Sequence, residues 1–281
     1  MPERHATLLL AALLALGLGE RSQGATAFEP LAELRVPEAN QGVGVDDRFF
    51  YAVDNRVIAK YDKATGKLVK RWEAPADAPI THLDSAMVLN GKLYAAHSNY
   101  PGWPMTSSVE IFDASTLEHL DSHPFGARWG SLTWIDWHDH RWWLAFANYD
   151  QPIGPGGTPY GGKANTVVIE MTEGFEALRS WKLPNEVLDR FDDMSNSGGS
   201  WGPDGFLYLS GHDTPEVYKM TLPEAGSVLD LVAIVSLDIR GQGIAWDRSR
   251  PGVLYGIKRA TVIERATGIG NRVSVSRLLE K

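Results

Sequence analysis

A five-bladed β-propeller is the expected architecture, and three observations carry it. One unit recurs five times: a polar turn, a short apolar run with an aromatic anchor, then a polar cluster. It reads Asp47-Arg48-Phe49-Phe50-Tyr51 into Asp54-Asn55, and Asn90-Gly91-Lys92-Leu93-Tyr94 into His97-Ser98-Asn99. It returns as Asp139-His140-Arg141-Trp142-Trp143 into Asn148-Tyr149-Asp150, and as Pro203-Asp204-Gly205 with Phe206–Leu209 into Gly211-His212-Asp213. The last copy is Pro251-Gly252-Val253-Leu254-Tyr255 into Lys258-Arg259. The anchors Tyr51, Tyr94, Trp143, Tyr208 and Tyr255 stand 43, 49, 65 and 47 residues apart, the period of a propeller blade. Finally, apolar residues alternate, as in Val57/Ala59/Tyr61, and no long helical pattern is present.

The chain opens on residues that do not belong to this pattern. Arg4 and His5 precede the apolar run Leu8–Leu18, and Ala25-Thr26-Ala27 follows. That order reads as a secretory signal peptide over residues 1–27, with an exported, periplasmic or secreted, domain over 28–281. The run is too short for a membrane span, which takes about 20 apolar residues.

The blades are expected at residues 38–75, 80–125, 129–184, 195–238 and 241–279. In the first, strands are placed at Gln41–Val45, Phe49–Val53, Arg56–Tyr61 and Lys67–Trp72, with the turn Asp62-Lys63-Ala64-Thr65-Gly66 before the last. Val109–Phe112 is the third strand of the second blade. The third blade carries the insertion Gln151–Lys163, whose Gly and Pro content makes it a loop, either a lid over the channel or a tolerated excursion. Asn185–Phe191 reads as one helical turn between blades. In the last blade Thr261–Arg265 is expected as the third strand before Thr267-Gly268. Two segments compete to close the ring, Ala32–Val36 and Arg272–Arg277.

Composition excludes whole classes of function. A net charge of −8 repels phosphate backbones and anionic lipid, so neither nucleic acid nor a membrane surface is an expected partner. With no Cys there is no disulfide, thiolate nucleophile or Cys-type zinc site. A small polar molecule bound by a monomer is the expectation that remains.

In a propeller the inner strand runs down the channel and the second strand returns antiparallel. Inner-strand starts and second-strand ends therefore share one rim. This places His82, Asp84, His97, His212 and Asp213 as catalytic candidates. Asp54, Asn55, Asn99, Asn148, Asp150, Ser200, Gln242, Lys258 and Arg259 are ligand-binding candidates around them. Three readings stay open for the histidines. His82, His97 and His212 suit a Zn or Mn site with an open position. His82 or His212 suits a general base oriented by Asp84 or Asp213 without metal. All three also suit plain hydrogen-bonding in blade loops. Lys258 and Arg259 suit a carboxylate clamp or the stabilisation of enolate-like charge. His138 and His140 fall at the opposite turns.

Two motifs mislead. Gly198-Gly199-Ser200-Trp201-Gly202 matches G-x-S-x-G, but no helix follows it, so it lacks the context of a nucleophile elbow. Gly161-Gly162-Lys163 lacks the spacing and the Ser or Thr of a phosphate loop.

The segments His82-Leu83-Asp84-Ser85, His97-Ser98-Asn99-Tyr100-Pro101, Ser107–Asp113, Ser197–Gly202 and Gly241–Asp247 together resemble a group of exported bacterial propeller proteins sometimes labelled cycloisomerase. That resemblance implies fold and export. More loosely, Gln41-Gly42-Val43, Phe50-Tyr51 and Lys63-Ala64-Thr65-Gly66 are similar to the first repeat of glutaminyl-peptide cyclotransferases. That family carries a Glu directly after the second-strand Tyr, where this chain has Ala52.

The leading expectation is an exported enzyme acting by His/Asp proton transfer on a sugar acid or lactone, as an isomerase, lyase or hydrolase. A non-catalytic binding ring using the Trp103 and Gln151–Lys163 loops is the alternative. A cyclotransferase using another acid, such as Asp54, is the third.

Overall fold

Five antiparallel four-stranded sheets form the protein, which is represented by a computed structural model describing residues 26–279. The expected leader falls outside the described residues except for Thr26 and Ala27. Blade I is built from Gly42–Val45, Phe49–Asp54, Val57–Asp62 and Leu68–Glu73. Blade II uses His82–Leu89, Lys92–Ser98, Ser107–Asp113 and His119–Gly126, and blade III uses Ser131–His138, Arg141–Ala147, Val167–Met171 and Ala177–Lys182. Blade IV uses Gly198–Trp201, Leu207–Ser210, Glu216–Thr221 and Asp230–Ser236. No helix among the described residues is long and apolar enough to cross a membrane.

Blade V resolves the competition for closure. Its order is Ile244–Trp246, Val253–Lys258, Arg272–Leu279 and then Ala27–Arg35, so both candidate segments belong to it. The C-terminal strand is third and the N-terminal strand is outermost, paired from Phe28↔Leu278 to Arg35↔Arg272. The expected strand at Thr261–Arg265 is instead a short helix, Val262–Ala266. Thr261 accepts from the Glu264 amide while Glu264 accepts from the Thr261 amide, a reciprocal cap. The Thr-x-x-Glu spacing was the sequence signal for a helix here, and it outweighed the alternation.

The core follows from strand alternation. Successive side chains point to opposite faces of a blade, so each blade presents apolar residues to both neighbours. Phe50 and Ala52 pack with Tyr255, Ile257 and Val273 of blade V. Tyr51 and Val53, one residue out of phase, pack with Leu83, Leu93 and Ala95 of blade II. Comparable clusters fill the seams between blades II and III, III and IV, and IV and V. The recurrent aromatic anchor has a second function. Tyr51 donates to Asp46 at 2.6 Å and Tyr208 to Asp204 at 2.8 Å, tying the second strand to the turn before it. Lys60 and Lys219 then lie over Phe49 and Phe206 at 4.0 and 4.1 Å.

Five blades leave a narrow channel. A Cβ on Gly42 would stand 2.5 Å from the Ser85 Cα, and one on Gly243 would stand 2.6 Å from the Gly42 Cα. These glycines let three inner strands approach backbone to backbone. At the end of the channel where inner strands finish, Arg248 of blade V reaches the blade III Asp136 at 2.7 Å. Asp136 also accepts from the Ser200 hydroxyl and the Trp201 amide. Beside it, Lys63 and Asp247 form a buried pair at 2.7 Å joining blades I and V.

Candidate acid–base site

The opposite end of the channel holds a polar cluster around Asp84. The inner strand of blade II is bulged there: Leu83 faces His97 and Ala86 faces Ala95, leaving Asp84 and Ser85 opposite a single residue. A bulge re-aims side chains locally and recurs beside active sites. Asp84 is fully buried, and neither its Oδ2 nor the Ser85 hydroxyl has a hydrogen-bond partner among the described residues.

His82 opens the same strand. Its Nδ1 lies 2.6 Å from Asn55 Oδ1, which also accepts from Gln41. An amide oxygen only accepts, so the ring proton sits on Nδ1 and Nε2 is left as the basic nitrogen. Nε2 is 3.4 Å from Asp84 Oδ2. Burial pushes the His82 imidazole down to about 4, and the electrostatic influence of His97 and His212 adds to this. Burial also pushes the Asp84 carboxyl well above the usual carboxylate range, against the pull of Arg259. The imidazole is therefore uncharged near neutral pH, beside a carboxyl that burial biases toward its protonated form.

Across the cluster, Arg259 donates through one nitrogen to Asp213 Oδ1 and to the His212 carbonyl, each at 2.9 Å. His212 Nδ1 meets Asp213 Oδ2 at 2.5 Å, and this bond, with Arg259, holds the Asp213 carboxyl below its usual range. Gln242 is buried, bonds the His212 carbonyl at 3.1 Å, and takes a left-handed backbone with φ 68°. The strained backbone and buried amide fix the loop that carries His212. Burial lowers the Arg259 pKa, and Asp213 and Asp84 oppose that shift.

Several expected residues do other work. His97 has both ring nitrogens engaged, Nδ1 with Ser108 at 2.8 Å and Nε2 with the Thr81 amide at 3.2 Å. Ser108 donates on to the buried Glu110, so His97 is part of a hydrogen-bonded blade interior. That removes it from the expected metal triad, and no group of three His, Asp or Glu side chains suited to a metal ion occurs among the described residues. Lys258 turns outward to Glu33 and Asp238, at 2.7 Å each. Ser200 lies near the far end of the channel and donates to Asp136, because it is the third residue of its inner strand. It also sits within a strand, so the G-x-S-x-G match is no elbow.

The asparagines and aspartates at second-strand ends mostly brace loops. Asp54 accepts from Asn40 and from the Asn55 amide. Asn99 clamps its loop through the Pro104 carbonyl and the Thr106 amide. Asn148 donates to the Trp129 and Asn165 carbonyls, and Asp150 accepts from the Lys163 amide. Asn55 is the member of this set that hydrogen-bonds His82.

Two further residues of the site lie one position beyond the expected ones. Tyr100 follows Asn99 and Tyr149 follows Asn148, and both rings belong to the site wall. Tyr100 packs against His82 with centroids 5.1 Å apart, and against Tyr149 at 5.5 Å. Tyr149 is buried, and its phenol pKa is raised by burial first and by the neighbouring Asp84. The repeated Asn-Tyr pair was the available signal. The Gln151–Lys163 insertion lies beside these rings: Gln151 accepts from the Tyr100 hydroxyl at 3.1 Å, and Tyr160 is buried against Trp103 and bonded to the Gly102 carbonyl.

No protein-family model matches this sequence, and no curated protein shows significant similarity to it. Solved structures of similar fold include a luciferin-regenerating enzyme, with TM-score 0.52 and 11% identity over 90% of this chain and 95% of that one. The PQQ-bound form of an aldose sugar dehydrogenase from Streptomyces coelicolor matches with TM-score 0.52 and 11% identity, over 91% and 99%. Regucalcin, a calcium-binding protein from Agrobacterium tumefaciens, matches with TM-score 0.52 and 10% identity, over 91% and 97%. At these identities the likeness establishes the β-propeller fold alone.

Proposed function

We propose that this chain is an exported enzyme that moves a proton within a small polar substrate, of the sugar-acid or lactone type, at the His82–Asp84 pair. One observation carries the reading: a buried carboxyl with an unpartnered oxygen stands 3.4 Å from the basic nitrogen of a neutral imidazole at the channel mouth. A buried polar atom without a partner costs stability, so its retention argues for use. In this reading His82 Nε2 takes the substrate proton and returns it to a neighbouring atom. Asn55 holds the ring in the tautomer that makes Nε2 basic. The imidazolium so formed meets Asp84, and Arg259, anchored by Asp213, offers positive charge to a carboxylate or a developing oxyanion.

The test is incubation of the purified protein in D2O with a panel of aldonic acids, uronic acids and their lactones, followed by proton NMR. The reading expects deuterium incorporation or ring opening for at least one member, abolished in His82→Asn and Asp84→Asn. No turnover across the panel, or turnover equal in both variants, removes it.

A binding ring is the second reading, favoured by the placement of clefts. Those of about 490 and 320 Å³ lie at the far end of the channel, and one of about 410 Å³ lies beside Trp103, away from His82. The cyclotransferase reading finds less support. Ala52 is wholly buried in the seam between blades I and V, so an acid at that position would face apolar side chains. Asp54, the substitute acid, is occupied by Asn40 and the Asn55 amide. Incubation with N-terminal glutaminyl peptides separates this reading from the first by the formation of pyroglutamate.

A further inference from the structure

The cleft beside Trp103 lies apart from the His82–Asp84 pair and gives the binding-ring reading a specific site. It measures about 410 Å³, lies on the same face as His82, and runs between blades II and III. Its lining includes three aromatic rings, Trp103, Trp129 and Tyr160, and one charged residue, Arg128, with no carboxylate. In a chain of net charge −8, a cleft lined by a cation and no acid is selective in sign.

Trp103 is half exposed, yet its loop is firmly held. Asn99 brackets the loop through the Pro104 carbonyl and the Thr106 amide, and the Tyr160 hydroxyl bonds the Gly102 carbonyl. The Trp103 ring rests edge-on against Tyr160 at 5.1 Å, and a Cβ on Gly154 would come within 3.1 Å of it. An indole braced on one side and open on the other is a flat platform at low entropic cost. Arg128 lies over Trp129 at 4.6 Å, which orients its guanidinium, and no carboxylate among the described residues pairs with it. The amides lining the cleft are already spent on the loop: Asn148 on the Trp129 and Asn165 carbonyls, Asn165 on the Gly161 carbonyl. What the cleft offers a ligand is thus an apolar plane and a cation.

We infer that this cleft is a binding subsite for an acidic saccharide. A pyranose face packs on Trp103 and a uronate carboxylate pairs with Arg128. A ring with an apolar C–H face and an equatorial carboxylate meets both demands in one residue, which a neutral sugar or an extended acidic peptide does not. Tyr160 forms the wall between this cleft and the acid–base site, with its ring 6.4 Å from Tyr149 and 6.5 Å from Tyr100. The inference does not depend on catalysis, because binding is measured directly.

The experiment is calorimetric titration of the purified chain with tetragalacturonate, cellotetraose and hexaglutamate, repeated on Trp103→Ala, Trp103→Phe and Arg128→Ala. Both positions are exposed, and thermal melting of each variant verifies the fold. Tetragalacturonate is expected to bind with heat, to weaken by about tenfold or more in Trp103→Ala and in Arg128→Ala, and to be largely retained in Trp103→Phe. Cellotetraose is expected to bind more weakly and to ignore Arg128→Ala. The inference is overturned if tetragalacturonate shows no binding up to about 10 mM, which is weaker than about 3 kcal/mol. It is equally overturned if both alanine variants bind as the parent does, or if cellotetraose or hexaglutamate binds as tightly.

Discussion

His82 and Asp84 are two residues apart on one inner strand, and their side chains meet with Nε2 3.4 Å from Oδ2. Residues i and i+2 share a face of a strand, so adjacency is expected from the sequence. The strand is bulged at Asp84 and Ser85, and one buried Asp84 oxygen is left without a hydrogen bond among the described residues. Burial then moves both pKa values from their ordinary places, the acid upward and the base downward.

Asp84→Asn separates catalysis from stability. Activity on a substrate found by the NMR panel is expected to fall about 100-fold or more. Stability is expected to rise at neutral pH. The folded carboxyl binds its proton more tightly than the unfolded one, so unfolding releases a proton above the unfolded pKa of about 3.9. Stability therefore falls as pH rises from there toward the folded pKa, and the variant escapes that loss. Urea midpoints of parent and variant are expected to diverge as pH rises from about 4 and to level off above the folded pKa, the variant being the more stable.

His82 contributes a slope of the opposite sign. Its folded pKa of about 4 lies below the unfolded value near 6.5. Between these values the unfolded chain binds the extra proton, so stability is lost as pH falls through the window. The shift corresponds to about 3 kcal/mol between pH 7 and pH 4, as an order of magnitude. In His82→Asn the urea midpoint is expected to be less sensitive over this range. Equal acid sensitivity in parent and variant would refute the depressed pKa, which an imidazole NMR titration reads directly.

The Lys63–Asp247 pair closes the seam between blades I and V with both side chains buried, and Lys63 also bonds the Asp46 carbonyl. Removing one partner strands a charge in the seam. Lys63→Ala is expected to destabilise by about 3–5 kcal/mol. Lys63→Met with Asp247→Leu is expected to recover most of that loss, which chemical denaturation of the single and double variants measures.

Deleting residues up to Arg35 removes the outermost strand of blade V. Phe28, 6.2 Å from Tyr208 and 6.0 Å from Trp246, goes with it. The strand Arg272–Leu279 would then present a bare edge. The shortened chain is expected to unfold at lower urea, with amide exchange accelerated first in Arg272–Leu279. Protection in that strand equal to the parent's would show that closure by Ala27–Arg35 contributes little.

Much of this molecule was legible in one dimension. The five anchors, the alternation of Phe50 with Tyr51, and the turn at Asp62 are local patterns, and each dictates local geometry. Blade I was therefore placed nearly strand for strand. The rim was legible for the same reason, since antiparallel return brings strand starts and ends together whatever the side chains are. His82, Asn55, Asp84, His212, Asp213, Gln242 and Arg259 do gather there.

Side-chain direction and partner choice were decided only by the tertiary structure. His97 is turned into its blade by Ser108 and the Thr81 amide, and Lys258 is drawn outward by Glu33 and Asp238. Ring closure was likewise undecided, because Ala32–Val36 and Arg272–Arg277 look alike as strands and only the observed pairing ranks them. Sequence periodicity reports which residues face alike along one element. Which of them meet depends on partners that are distant in the chain, and on a bulge whose extra residue leaves no mark in composition.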